Sequence, residues 1–333
     1  MKTPTDNFRA SGNTMIDKHF TVKILSLLVV TLIPLLSSGQ TTNYLEYHAE
    51  IIKAEEFIVT KHFNESLEIY RMLANRYEYV FLRDMKVAAQ LSAYLNNTDN
   101  LFYFLEKGMK KGWTSKEIMK MKIFDKSKND NRWKKLKANK DQFRREFESS
   151  INLQLRIEVK EMLNEDQKRA IRVALIPVEQ WRERYTNRKF VPNNRTQVRR
   201  INQIIDQFGY PGEKIIGDKS WATVIISHNE HDTIYNQLRP KLYSAFKRGE
   251  LSAIELAIIE SWRIAIDTDR KEKGFAIWAD EITKSESVKV DSLRQSIGLR
   301  SIELNNKLIQ IEKKLDMKFY LSPSHGGLIT VKD

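Results

Sequence analysis

A chain of 333 residues exceeds the usual size of one hydrophobic core, and 41% apolar residues suffice to fill two. Twelve glycines and seven prolines are too few for many short strands and tight turns, which leaves a mainly all-α class. The lack of cysteine excludes disulfides, thiolate metal sites, a catalytic thiol and a lipid-modified N-terminal cysteine; the formal charge of +13 falls only to +11 when residues 1–40, with four basic and two acidic groups, are set aside.

Lys18 to Gln40 reads as a signal peptide: basic residues Lys18 and Lys23, an apolar run from Ile24 to Leu36, then Ser37-Ser38-Gly39. The run of about thirteen residues is short for a membrane span, so the expectation is cleavage after Gly39 and a mature chain with no span. Residues before Met15 do not look like part of such a signal, and Met15 is a possible true start. The uncleaved anchor is the competing reading.

From Tyr44 to about Glu148 the spacing predicts paired helices. Ile51, Ala54, Glu55 and Ile58 mark one, and Phe63, Leu67, Tyr70 and Ala74 the next, with Asn64 as its expected cap. Phe81, Met85, Ala88, Ser92 and Leu95 form a third stripe, closed by a turn at Asn96 to Asp99. A fourth begins with Leu101, Phe104, Leu105 and Gly108, and Thr114 with Glu117 has capping-box spacing for a fifth. Lys and Arg concentrate between Lys107 and Arg145 with Trp113 and Trp133 among them, a pattern that fits nucleic acid or an anionic surface. Export ranks nucleic acid below solvated helix faces or contact with envelope polymers.

The segment His62 to Tyr70 resembles the second helix of a tetratricopeptide repeat, with Phe63 at the aromatic position and Ser66 at the small one. Asp99 to Trp113, followed by Asn131-Arg132-Trp133, is similar to the final repeat and tail of such arrays. The Trp-Leu-Gly start is missing, so one and a half to two and a half repeats are expected within 41–148. The resemblance implies a surface for a protein or peptide partner, or a short buttress for the second half of the chain.

Residues 150–333 are expected to form a second helical domain. Leu155, Val159 and Met162 line one helix; Val198, Ile201, Ile205 and Phe208 line another, which stops at Gly209. Later stripes are Ile254, Ile258, Trp262 and Ala265, then Leu304, Leu308, Ile311 and Leu315; Leu328 to Val331 is the expected short strand. Ser324 to Gly327 reads as a turn.

Chemistry is most visible near His228. Trp221, Val224, Ile225 and His228 share one helical face, Asp232 extends it by a turn, and Glu230 and His231 stand beside it. An imidazole ending an apolar stripe beside carboxylates suits a general base, with Glu230 or Asp232 orienting it, and equally suits a half-buried helix end. His-x-x-His specifies no third ligand, so no metal and no cofactor are expected.

The second domain resembles a bacterial domain family of unknown function, whose ordered pattern is held here by Asp166-Gln167 with Arg169, Gly209-Tyr210-Pro211, Gly217, Ser227-His228, and Arg294 with Gly298-Leu299. Ser227 replaces the family's amide, and Ser261-Trp262-Arg263 with Phe275 to Ala279 replaces a polar Tyr-Gly-Thr-Gln element. The resemblance implies positions and no reaction; with His231 added from the His228 segment, the ligand candidates are Asp166, Gln167, Arg169, Tyr210, His231 and Arg263. The resulting expectation is an exported, periplasmic or envelope-associated binding or scaffolding protein rather than an enzyme; the alternative is a hydrolase using His228.

Overall fold

The computed structural model describes residues 43–229, 232–321 and 327–333, the side chain of Asp232 excepted. The expected signal peptide, Glu230, His231 and most of the Ser324 turn lie outside the described residues. Among those described, sixteen α-helices and one pair of three-residue strands make the regular structure, an all-α fold. None of these helices is long and apolar enough to cross a membrane.

In the first half, α1 (Tyr44–Val59), α2 (Phe63–Arg76), α3 (Leu82–Tyr94) and α4 (Thr98–Met109) follow the apolar stripes. Asn43 and Asn97 cap α1 and α4 by accepting backbone N–H bonds. Asn64 is not a cap: α2 starts at Phe63, after His62. Ser66 is fully buried and donates to the Ala54 carbonyl at 2.9 Å, which lets α2 approach α1 closely. The capping box forms at α5 (Ser115–Met119), where Thr114 and Glu117 satisfy each other's backbone N–H. After a 3₁₀ turn come α6 (Asn131–Ala138) and α7 (Lys140–Ser150). Trp113 and Trp133 belong to this core and both pack edge-on or tilted against Phe124, so they offer no stacking face to a nucleic acid.

The second half runs through α8 (Leu153–Leu175), α9 (Glu179–Tyr185), a π-helical turn (Thr186–Phe190) and α10 (Val191–Phe208). It continues with α11 (Glu213–Ile216), α12 (Trp221–Ser227), α13 (Asp232–Lys247), α14 (Ala253–Asp267), β1 (Glu281–Thr283), α15 (Lys284–Ser296), α16 (Ile302–Leu315) and β2 (Thr330–Lys332). Two particulars differ from the sequence expectation. Phe208 ends α10 half exposed, and on α14 the deeply buried face is Leu256, Ala257 and Ile259, while Ile254, Ile258 and Trp262 are only partly covered. The expected C-terminal strand is β2, paired in parallel with β1.

The hydrophobic cores divide near residue 150, but the chain crosses back. Leu304 and Leu308 of α16, then Met317 and Phe319, are buried in the core of the first half. Gln90 on α3 reads the backbone of Lys318 in both directions, its amide N donating at 2.8 Å and its oxygen accepting at 2.8 Å, and Arg83 donates to the Phe319 carbonyl. Residues 43–333 are therefore one compact unit with two large cores and a small third cluster of Ala276, Ile282, Val290, Ile302 and Ile329 among the described residues.

At the seam, Glu55 is 1% exposed and accepts from Arg300 at 2.7 Å, twice, and from Arg83. Burial alone would raise its pKa; the two guanidiniums reverse that and hold the carboxyl below its usual range. Asp84 completes the cluster by pairing with Arg83 and accepting from Tyr47.

Candidate functional site

Asp166 occupies a core position. Leu155, Val159 and Asp166 are the buried residues of α8, spaced four and seven, so the carboxylate stands where the stripe demands an apolar side chain. It has no exposed surface. A buried carboxylate is tolerable only with hydrogen-bond partners, and three converge on it. His228 Nδ1 lies 2.7 Å from Oδ2, Gln167 Nε2 donates to the same oxygen at 3.3 Å, and Asn194 Nδ2 donates to Oδ1 at 3.3 Å. Asn194 also donates to the Ile225 carbonyl at 2.8 Å, tying α10 to α12 behind the pair.

His228 closes α12 as its C-cap, so the imidazole leaves the helix at its rim. Its side chain is 22% exposed, against none for Asp166. A carboxylate can only accept, so the proton of the neutral ring sits on Nδ1 and the lone pair is left on Nε2. Aromatic side chains frame the ring: Phe190, from the π-helical turn, at 5.6 Å between centroids, and Trp262 at 6.3 Å, with Trp278 5.6 Å beyond. The arrangement is a fixed, partly accessible base beside flat apolar surfaces.

The remaining candidates separate. Gln167 belongs to the site through Asp166. Arg169 turns to Glu165 on its own helix, and Arg263 pairs with Asp267 while its guanidinium lies over Tyr235. Tyr210 is a core residue: its hydroxyl meets Thr223 at 2.8 Å, and Thr223 donates to Glu255, whose carboxyl burial pushes up. Asp232 does not continue the His228 face, because α12 ends at Ser227 and Asp232 begins α13. Among the described side chains the carboxylate in contact with His228 is Asp166, 62 positions away; Glu230 and the side chain of Asp232 lie outside them.

Sequence reasoning missed Asn194 and Phe190. Asn194 had a signal, since it sits one turn before Val198 at the head of that stripe, a polar residue in an apolar position. Phe190 had none, because the π-helical turn that places it follows from packing. Among the described residues no three His, Asp or Glu side chains gather as a metal-binding group. Comparisons with protein-family models, with curated proteins and with solved structures return no match.

Proposed function

We propose that the protein is exported and acts in the cell envelope as a binding protein whose second half meets a small polar ligand at His228. The observation that supports this is the 2.7 Å contact between a wholly buried Asp166 and a partly exposed His228. The carboxylate stays hidden, sets the tautomer and leaves Nε2 as the hydrogen-bonding edge, as the second partner of a ligand-binding histidine does. Phe190, Trp262 and Trp278 supply faces for the ligand's apolar side. The face of α1 and α3 already carries the chain's own C-terminal segment, so the repeat-like half serves here as a support.

A second reading, a hydrolase with His228 as general base, is favoured by the same tautomer, which leaves a proton acceptor at Nε2. One experiment separates the two. Calorimetric titration with cell-wall glycan fragments and short peptides is run beside turnover of chromogenic esters and glycosides, using wild type, His228→Gln and Asp166→Asn. Binding that weakens at least tenfold in His228→Gln, with no turnover by any form, supports the binding protein. Turnover whose kcat falls about 10²-fold or more in both variants, at unchanged KM, supports the hydrolase. Variants that lose only thermal stability, in a chain that binds and cleaves none of these probes, would reduce the pair to a latch between α8 and α12.

A further inference from the structure

The basic stretch noted in the sequence has its own structural outcome, apart from His228. With Trp113 and Trp133 in the core, its lysines are what remains at the surface. Three of them, Lys107, Lys110 and Lys111, meet Lys214 from α11 around a cleft of about 380 Å³. The floor is apolar, with Val80, Met85 and Phe147 all buried beneath it. We infer that this cleft binds a small organic anion, a carboxylate or phosphate monoester, with its head group on Lys111 and Lys214 and an apolar body on that floor.

Lys111 carries the inference furthest. Its Nζ lies 3.6 Å from the centroid of the Tyr79 ring, and among the described residues no carboxylate comes within ion-pair distance of it. An ammonium held against an aromatic face keeps its charge available to an incoming anion. Burial lowers this amine to about 8, the mark of a poorly hydrated site that rewards a counter-ion. The two carboxylates that line the cleft oppose an anion weakly. Glu213 bonds to the Tyr79 hydroxyl and the Leu82 N–H, and burial pushes its carboxyl up to about 7, so part of its charge is absent at neutral pH. Glu78 is 90% exposed and only 3.6 Å from Lys214, a solvated pair that a ligand can exchange. Lys110 is held at the rim by Glu146 at 2.9 Å, and Lys107 lies over Tyr103. The formal balance of the lining is four cations against two anions. The apolar floor and limited volume select a compact ligand with a hydrophobic part over a bare ion or a polymer.

The test is calorimetric titration of the full chain with phenyl phosphate, benzoate and inorganic phosphate. Phenyl phosphate or benzoate is expected to bind, and the tighter of the two identifies the head group. Lys111→Gln and Lys214→Gln are each expected to weaken it at least fivefold, whereas Lys122→Gln, on a different cleft, leaves it unchanged. In a second readout, acetic anhydride at pH 7.5 labels Lys111 ahead of the exposed lysines, and the saturating ligand protects it. The inference is overturned by no binding of either organic anion, by inorganic phosphate binding as tightly as phenyl phosphate, by unchanged affinity in both variants, or by unprotected Lys111.

Discussion

At the seam between the two halves, buried charges face one another: Glu55 sits between Arg83 and Arg300, and Asp84 closes the group through Arg83 and Tyr47. In the second half Asp166 is buried as completely, but its partners are two amides and one imidazole that reaches solvent. The seam cluster spends its hydrogen bonds internally and holds parts of the chain together. The Asp166 cluster ends at His228, whose side chain is partly exposed. A buried charge is thus a poor indicator of a ligand site by itself; it becomes one where its chain of partners ends at an accessible group.

The largest effect that would test this contrast is Glu55→Ala, which strands two guanidiniums in the seam and is expected to cost about 3–5 kcal/mol by urea denaturation. Phe319→Ala comes next, at about 3 kcal/mol, because it empties a fully buried ring position in a core its own half does not own. Asp166→Asn is expected to cost less, about 1–2 kcal/mol, since the amide still accepts hydrogen bonds while the ring tautomer is released. If Asp166→Asn cost as much as Glu55→Ala, the two clusters would be alike and the contrast would fail.

The smallest expected effect lies in pH dependence. Burial pushes Glu213 up to about 7 from 4.5, so its contribution is complete below pH 4.5 and is lost as pH rises through 7. Burial, aided by Arg83, lowers His48 from 6.5 to about 3, so its contribution is present above pH 6.5 and is lost as pH falls toward 3. Between pH 4.5 and 6.5 the two slopes oppose each other. Glu213→Gln leaves the His48 slope alone, and its melting temperature should drop more than that of wild type on acidification across this window. Parallel curves would show that Glu213 does not hold a proton in the folded seam.

Periodicity made the helices of the first half legible, because Leu67, Tyr70 and Ala74, or Met85 and Ala88, recur on one side with polar residues between them. On α14 the same method chose the less buried face: the helix is apolar nearly all round, and Ile254 and Ile258 compete with Leu256 and Ile259 for the core. The Trp residues of the basic run misled for a related reason. Lysine stems can cover apolar surface while their ends stay wet, so a lysine-rich segment can still bury its indoles. His228 was visible as a polar end to an apolar stripe, whereas Asp166 entered only through the family resemblance, because the stripe read on its helix ran Leu155, Val159 and Met162. Their meeting was not visible, since the two stand 62 positions apart, and the Glu55–Arg300 pair spans 245.

The bond between Gln90 and Lys318 joins positions 228 residues apart. At roughly 5–20 residues per second on the ribosome, the helices made first must wait on the order of ten seconds or longer for the segment that completes them. Until Met317 and Phe319 emerge, the apolar surface they will cover stays open on the nascent chain. The core of the earliest helices is therefore closed by one of the last segments to be made.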